Sequence, residues 1–245
     1  MRDSKAHHTS AFTLMELLVV ITIIVLLISM LSPALQSAKK ETRTTICMTA
    51  LRQMTIGTDA YIIDNRGFYP PYDNSGGLKY SSFWMTIYDK YHRDDRIRDC
   101  PETIEHPVVW GTSKLRWGPA PGSFIGEHTG SYGWNSWLHS GTTNGGHNGY
   151  FFRRDNIPHQ SKTPMYADSS WVDFWPRSTD GWPPSTILGS QGGQSSMGRV
   201  AVDRHFFSVN VGMVDTSVKR IKLPDLWSEV YWHVDYIPLD APPRP

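Results

Sequence analysis

The sequence predicts an α+β protein. A long N-terminal helix, transmembrane in its first part and a stalk in its second, packs on a loop-rich, mainly antiparallel β head. Three observations predict this: one long apolar run near the N-terminus, a stripe at helical spacing that continues beyond it, and a remainder made of short alternating segments between Gly- and Pro-rich loops. The 245 residues hold 20 Gly and 17 Pro, so the head is written in loops. Aromatic residues make up 12% of the chain and charged residues only 19%, which excludes a disordered polar chain. With a formal net charge of +1 there is no field to draw nucleic acid, and no such partner is expected.

The first element is the run from Phe12 to Leu31, FTLMELLVVITIIVLLISML, whose one charge is Glu16. At 1.5 Å per residue such a run spans about 30 Å as a helix, the thickness of a bilayer core. A cleaved secretory signal is the alternative, with Ser32-Pro33-Ala34 as its weak cut site. The flanking charges conflict over orientation. Arg2 and Lys5 precede the run and Lys39, Lys40 and Arg43 follow it, so the basic bias alone would place the C-terminal side in the cytoplasm. Beyond Pro33, which should kink or locally melt the helix, Ala34, Leu35, Ala38, Thr42, Ile46, Ala50 and Met54 trace one helical face to roughly Ile62.

The head follows from about residue 64. Asp64-Asn65-Arg66-Gly67 and Pro70-Pro71 read as a turn that ends the helix. Strands are expected at Ser131 to Trp137, Tyr150 to Phe152, Met165 to Ala167 and Val200 to Val202, and in the pair Phe207 to Val214 and Ser217 to Ile221. His139 to Gly149 has no large apolar residue and reads as a surface loop, and Pro176 to Gly198 as another. Phe207, Val209, Val211 and Met213 alternate with Ser208, Asn210 and Gly212, the period of a strand with one buried face. The segment from His205 through Ile221 is therefore expected to be a structural hairpin. Its turn at Asp215-Thr216 should be loose, a type I turn with a bulge, because β-branched Thr216 takes a positive φ only at a cost.

The N-terminus resembles that of type IV pilin-like proteins, including the pseudopilins of type II secretion. A short basic leader ends in Ala11, Phe12-Thr13-Leu14-Met15-Glu16 opens the apolar run, and counting from Phe12, Glu16 is fifth and Pro33 twenty-second. The resemblance implies cleavage between Ala11 and Phe12 by a prepilin peptidase, methylation of the new amino group, and assembly through Glu16. Ala11 departs from the usual Gly before the cut. It also implies a leader at 1–11, a transmembrane segment at 12–33, an amphipathic stalk at 34–63 and a globular periplasmic head at 64–245. The expected place is the inner membrane, single-pass with the N-terminus cytoplasmic, or a pilus-like filament. Other pilin-like subunits and an inner-membrane assembly platform are the implied partners.

The head is similar to one branch of that family, in which a C-terminal His is followed nine residues on by Asp-Gly. Here the pattern is His205 and Asp215-Thr216, so Thr216 departs from Gly. Cys47, Asp64-Asn65-Arg66-Gly67, Cys100-Pro101, Ser131-Tyr132-Gly133-Trp134-Asn135, Leu226-Trp227 and Trp232-His233 match that branch in order.

No nucleophile elbow, dinucleotide fingerprint, phosphate loop or zinc-protease motif occurs, so an enzyme is not expected. Asp168, Asp203, His205 and Asp215 are the residues that would have to gather for an acid/base or metal cluster. No cofactor is expected, with calcium at Asp64, Asn65, Asp73 and Asn74 as the alternative, since calcium takes oxygen ligands. If the head is periplasmic, Cys47 and Cys100 lie in an oxidising compartment and a bridge between them would pin head to stalk; two free, buried thiols are the other reading. Trp110, Trp117, Trp134, Trp137, Trp171, Trp175 and Trp182 support a second function, a membrane-tethered module binding carbohydrate or protein through exposed aromatics. Most of these would be core in either case.

Overall fold

A computed structural model of the chain describes residues 13–71, 84–85, 90–92, 94–106, 109–121, 125–140, 153–189 and 196–244. Two compact units divide it, Met1–Thr42 and Arg43–Pro245. One helix, α1 (Leu14–Asp64, 51 residues), begins in the first and ends in the second.

In the first unit every residue from Thr13 to Lys39 is exposed. The helix is long and apolar enough to cross a membrane. Two of its hydroxyls bond back to the helix: Thr22 Oγ1 donates to the Val19 carbonyl and Ser29 Oγ to that of Leu26, each at 2.7 Å. Pro33 lies inside the helix without interrupting it, so the expected local melting is not observed.

In the second unit the helix turns one face to a sheet. The buried stripe is Thr44, Cys47, Leu51, Met54, Thr55, Thr58 and Ile62, with Gly57 beside it. This corrects the expected face, since Ile46 is 51% exposed and only Met54 of the lower stripe is buried. The small side chains of Thr44, Cys47, Thr55, Gly57 and Thr58 let the helix backbone approach the sheet. A Cβ built on Gly212 would lie 2.6 Å from Thr55 Cγ2. The helix ends at the predicted turn by a Schellman closure. Gly67 N donates to the Ile62 carbonyl at 2.8 Å and Arg66 N to that of Ile63 at 3.3 Å, with Arg66 and Gly67 both at positive φ.

The sheet is five-stranded: β1 (Tyr132–Asn135), β2 (Pro164–Asp168), β3 (Asp173–Phe174), β4 (Ser208–Met213) and β5 (Val218–Lys222), in the order β3-β1-β2-β4-β5. All neighbours pair antiparallel except β1 with β3. Four of the expected strands are thereby found. Val200 to Val202 is not one: Met197–Val200 forms a short helix, α2, and Ala201 and Val202 follow it as irregular chain. Tyr150 to Phe152 lies outside the described residues. His139, expected in a surface loop, is buried at 1% exposure.

Both sides of the sheet are covered. Tyr132, Trp134 and Tyr166 pack with Cys47, Leu51, Met54 and Ile62 of α1. On the far side Ala167, Val209, Val211 and Met213 pack with Leu226, Trp227, Val230 and Trp232 from the C-terminal segment. The expectation of one buried face on β4 is therefore corrected, since all six of its residues are buried. Its polar set, Ser208, Asn210 and Gly212, is on the helix side.

The β4–β5 turn is as expected in type and unexpected in detail. Thr216 N donates to the Met213 carbonyl at 3.0 Å and Met213 N to that of Ser217 at 2.8 Å, a type I turn closed by a bulge. Thr216 itself takes the left-handed position, with φ at 68°. The Asp215 carboxylate offsets this by accepting from Ser217 N at 3.0 Å and Ser217 Oγ at 2.6 Å.

Candidate functional site: a buried Cys-His-Asp-Arg cluster between helix and sheet

The polar residues on the helix side of the sheet meet at one place. Thr44 and Cys47, one turn apart on α1, face the edge formed by Cys100, the end of β2 and the start of β4. His205 is fully buried there. Its Nδ1 lies 3.1 Å from Thr44 Oγ1, its Nε2 3.4 Å from Cys100 Sγ and 3.5 Å from Asp168 Oδ2. The Cys47 and Cys100 thiols touch, with Sγ to Sγ at 2.7 Å, and both are unbonded.

Each member is held from behind. Cys100 N donates to Ser131 Oγ at 3.0 Å, and Thr103 Oγ1 lies 2.6 Å from that hydroxyl and donates to the Cys100 carbonyl at 2.7 Å. Tyr132 OH donates to the Cys47 carbonyl at 3.4 Å. Asp168 accepts Asn210 N at 2.6 Å on Oδ2 and Arg204 at 3.1 Å on Oδ1. The Arg204 guanidinium, wholly buried, also donates to the carbonyls of Ser113, Thr112, Ser169 and Ser131.

The electrostatics follow from one carboxylate between two cations. Burial alone would lower His205, but the Asp168 carboxylate outweighs it and the imidazole is pushed up to about 9. Burial would raise Asp168, and His205 and Arg204 together hold it below the usual carboxylate value. Burial pushes the Cys100 thiol strongly up.

His205 at one end of β4 and Asp215 at the other are not brought together. Asp203 Oδ1 instead accepts Phe207 N at 2.8 Å, so of the four residues considered for a cluster only Asp168 and His205 meet. The turn that aims His205 inward places Phe206 and Phe207 at φ 54° and 56°, and His205 N donates to the Ser208 carbonyl at 3.1 Å. Two aromatics in the left-handed region are strained, and packing of His205 into the cluster holds them there. Sequence reading missed Thr44, Arg204 and Asn210. The Arg204-His205 pair directly before an alternating strand was the available signal.

Could the cluster hold a metal? Cys47, Cys100 and His205 offer ligand atoms all within 4.8 Å of one another. A tetrahedral zinc site would keep two sulfurs about 3.7 Å apart, given zinc–sulfur bonds of about 2.3 Å. The observed 2.7 Å leaves no room between them, and His205 Nε2 faces Asp168. The spacing suits direct sulfur contact. For calcium, the Asp64 carboxylate accepts from Tyr91 OH at 2.9 Å and Asn65 Nδ2 donates to the Tyr61 carbonyl at 2.7 Å; Asp73 and Asn74 lie outside the described residues.

At the N-terminus, Ala11 and Phe12 lie outside the described residues. Glu16 does not stand free. Its Oε2 accepts Thr13 N and Thr13 Oγ1, both at 2.9 Å, and Glu16 N donates to Thr13 Oγ1 at 3.2 Å. This is a capping box, legible in Thr13-x-x-Glu16 and overlooked.

Of the seven tryptophans considered as binding platforms, Trp117, Trp134, Trp137 and Trp171 are buried. Trp110 stacks on Trp171 with ring centres 3.8 Å apart, and Trp182 carries Arg244 over its face. Comparison of the chain with protein-family models, with curated proteins and with solved structures finds no match to any of them.

Proposed function

We propose that this protein is a non-enzymatic, pilin-like subunit, anchored in the inner membrane by α1 and assembled with other pilin-like subunits through the start of that helix. One observation carries the reading: an exposed helix apolar enough to span a bilayer, with a single carboxylate at its first turn, ahead of a mixed sheet. The resemblance around Ala11, Phe12, Glu16 and Pro33 supplies the finer content, namely cleavage and methylation by a prepilin peptidase, a periplasmic head, and pairing of Glu16 with the Phe12 amino group of a neighbour. The burial of His205 and its partners, away from any substrate, supports a structural head. Burial of four of the seven tryptophans leaves the tethered binding module less supported.

The capping box gives the test its sharp form. A carboxylate in the apolar span costs on the order of 3 kcal/mol at its centre, so its retention asks for a purpose. Capping α1 is one purpose and pairing with a neighbour is another. Gln at this place keeps the reciprocal cap but has no charge, whereas Thr13→Val weakens the cap and keeps the charge. Assembly through charge predicts that Glu16→Gln inserts into membranes normally yet is lost from crosslinked oligomers, while Thr13→Val still assembles. Assembly of Glu16→Gln at the unmodified level would end the proposal.

A further inference from the structure

We propose that Cys47 and Cys100 are a disulfide-forming pair that fastens the second half of α1 to the segment of the head that carries Cys100. The thiols already touch at 2.7 Å across a sequence separation of 53 residues. Each is fully buried and held by the backbone and side-chain contacts of Ser131, Thr103 and Tyr132, and the sequence has no third cysteine to compete. His205 abuts Cys100 Sγ and is itself fixed by Thr44 on the helix and Asp168 on β2. Thr44, Cys47, Cys100, Asp168 and His205 thus form one built site in which the helix is joined to the head twice, by the sulfurs to the segment at Cys100 and by the imidazole to Asp168 on β2. An ion between the sulfurs would require them to separate.

The chemistry needs a disulfide oxidant, an oxidised dithiol protein or glutathione disulfide. One cysteine loses its proton and attacks the oxidant, giving a mixed disulfide and releasing one thiolate. The second cysteine, deprotonated, attacks the protein-side sulfur of that mixed bond and expels the other thiolate. The two released thiolates take up the two protons, so two thiols are oxidised and one disulfide is reduced. Because both sulfurs are buried, the exchange takes place before the helix closes on the sheet, and the finished bond is shielded from reductants.

The full chain, purified from membranes with thiols trapped in acid, is denatured and alkylated with and without prior reduction, before and after it has been unfolded, refolded and brought to equilibrium in glutathione disulfide. The expected result is a linked Cys47–Cys100 peptide pair, unlabelled until reduced. Reduction under native conditions is slow, and once achieved it lowers the thermal midpoint by about 10 °C, the effect of a loop of this length in a domain of this size. Labelling of both cysteines after equilibration would overturn the inference, as would covalent dimers lost in Cys47→Ser alone. Stoichiometric zinc or copper released by alkylation would overturn it in favour of a metal centre. A chain isolated reduced that oxidises to the Cys47–Cys100 pair in glutathione disulfide sustains the inference and counts instead against a periplasmic head.

Discussion

A buried charge persists only when it is paired, and Asp168 pairs with two. Its Oδ1 faces Arg204 and its Oδ2 faces His205, while Thr44 and the two sulfurs complete the surroundings of the imidazole. The His205 value of about 9 lies above the unfolded value of about 6.5. The imidazolium therefore contributes stability that is fully present below about pH 6.5 and is lost as pH rises through 9. Thermal midpoints should hold steady up to about pH 6.5 and fall from there to pH 9. In His205→Gln that fall should be absent, since Gln keeps hydrogen-bonding capacity without titrating. An equal fall in the variant would place the titration elsewhere.

At the scale of elements, the two ends of β4 show what a sequence can and cannot specify. The alternation of Phe207 to Met213 placed the strand and the hairpin correctly, because a period of two is a local property. It also suggested a dry face and a wet face. Both are buried, because burial of Ser208, Asn210 and Gly212 depends on α1, over a hundred residues earlier in the chain. The resemblance singled out Cys47, Cys100, Ser131, His205 and Trp232, yet gave no sign that the first four meet, or that Asn135 Nδ2 donates to the carbonyls of both Pro164 and Trp232. Spacing in sequence says nothing of contacts such as Thr44 to His205. The helix stripe was misread for a related reason: where a helix and a sheet come close, small residues mark the contact better than apolar ones.

The hairpin turn and the close approach of α1 to β4 give opposite expectations for two substitutions on one strand pair. Thr216 sits at φ 68°, where Gly is free of steric cost. Thr216→Gly should stabilise by about 1 kcal/mol, less the few tenths lost to the flexibility of Gly in the unfolded chain. Gly212→Ala instead pushes a methyl to within 2.6 Å of Thr55 Cγ2 and should destabilise by about 1 to 3 kcal/mol. Urea unfolding of both variants checks the pair. Destabilisation by Thr216→Gly would mean that the Thr side chain makes a contact worth more than the strain.

At the scale of the whole molecule, the 51 residues of α1 divide into an exposed apolar part and a part with one buried face, and the division falls inside the helix. Residues up to Thr42 belong to the first compact unit, and the buried stripe starts at Thr44. A chain begun at Arg43 keeps Cys47, Leu51, Met54 and Ile62, all at 1% exposure or less. A chain begun at Asn65 loses them. Burying each large apolar side chain is worth about 1.5 to 3 kcal/mol, so Leu51, Met54 and Ile62 together rival the 5 to 15 kcal/mol of net stability typical of a folded domain. The longer fragment should therefore stay in solution without detergent and melt in one cooperative transition, with near-ultraviolet circular dichroism from its packed tryptophans. The fragment from Asn65 should show neither the transition nor that signal. A cooperative melt in the shorter fragment, at a midpoint near that of the longer one, would show that the sheet and the C-terminal segment form a self-sufficient core and that α1 is only laid upon it.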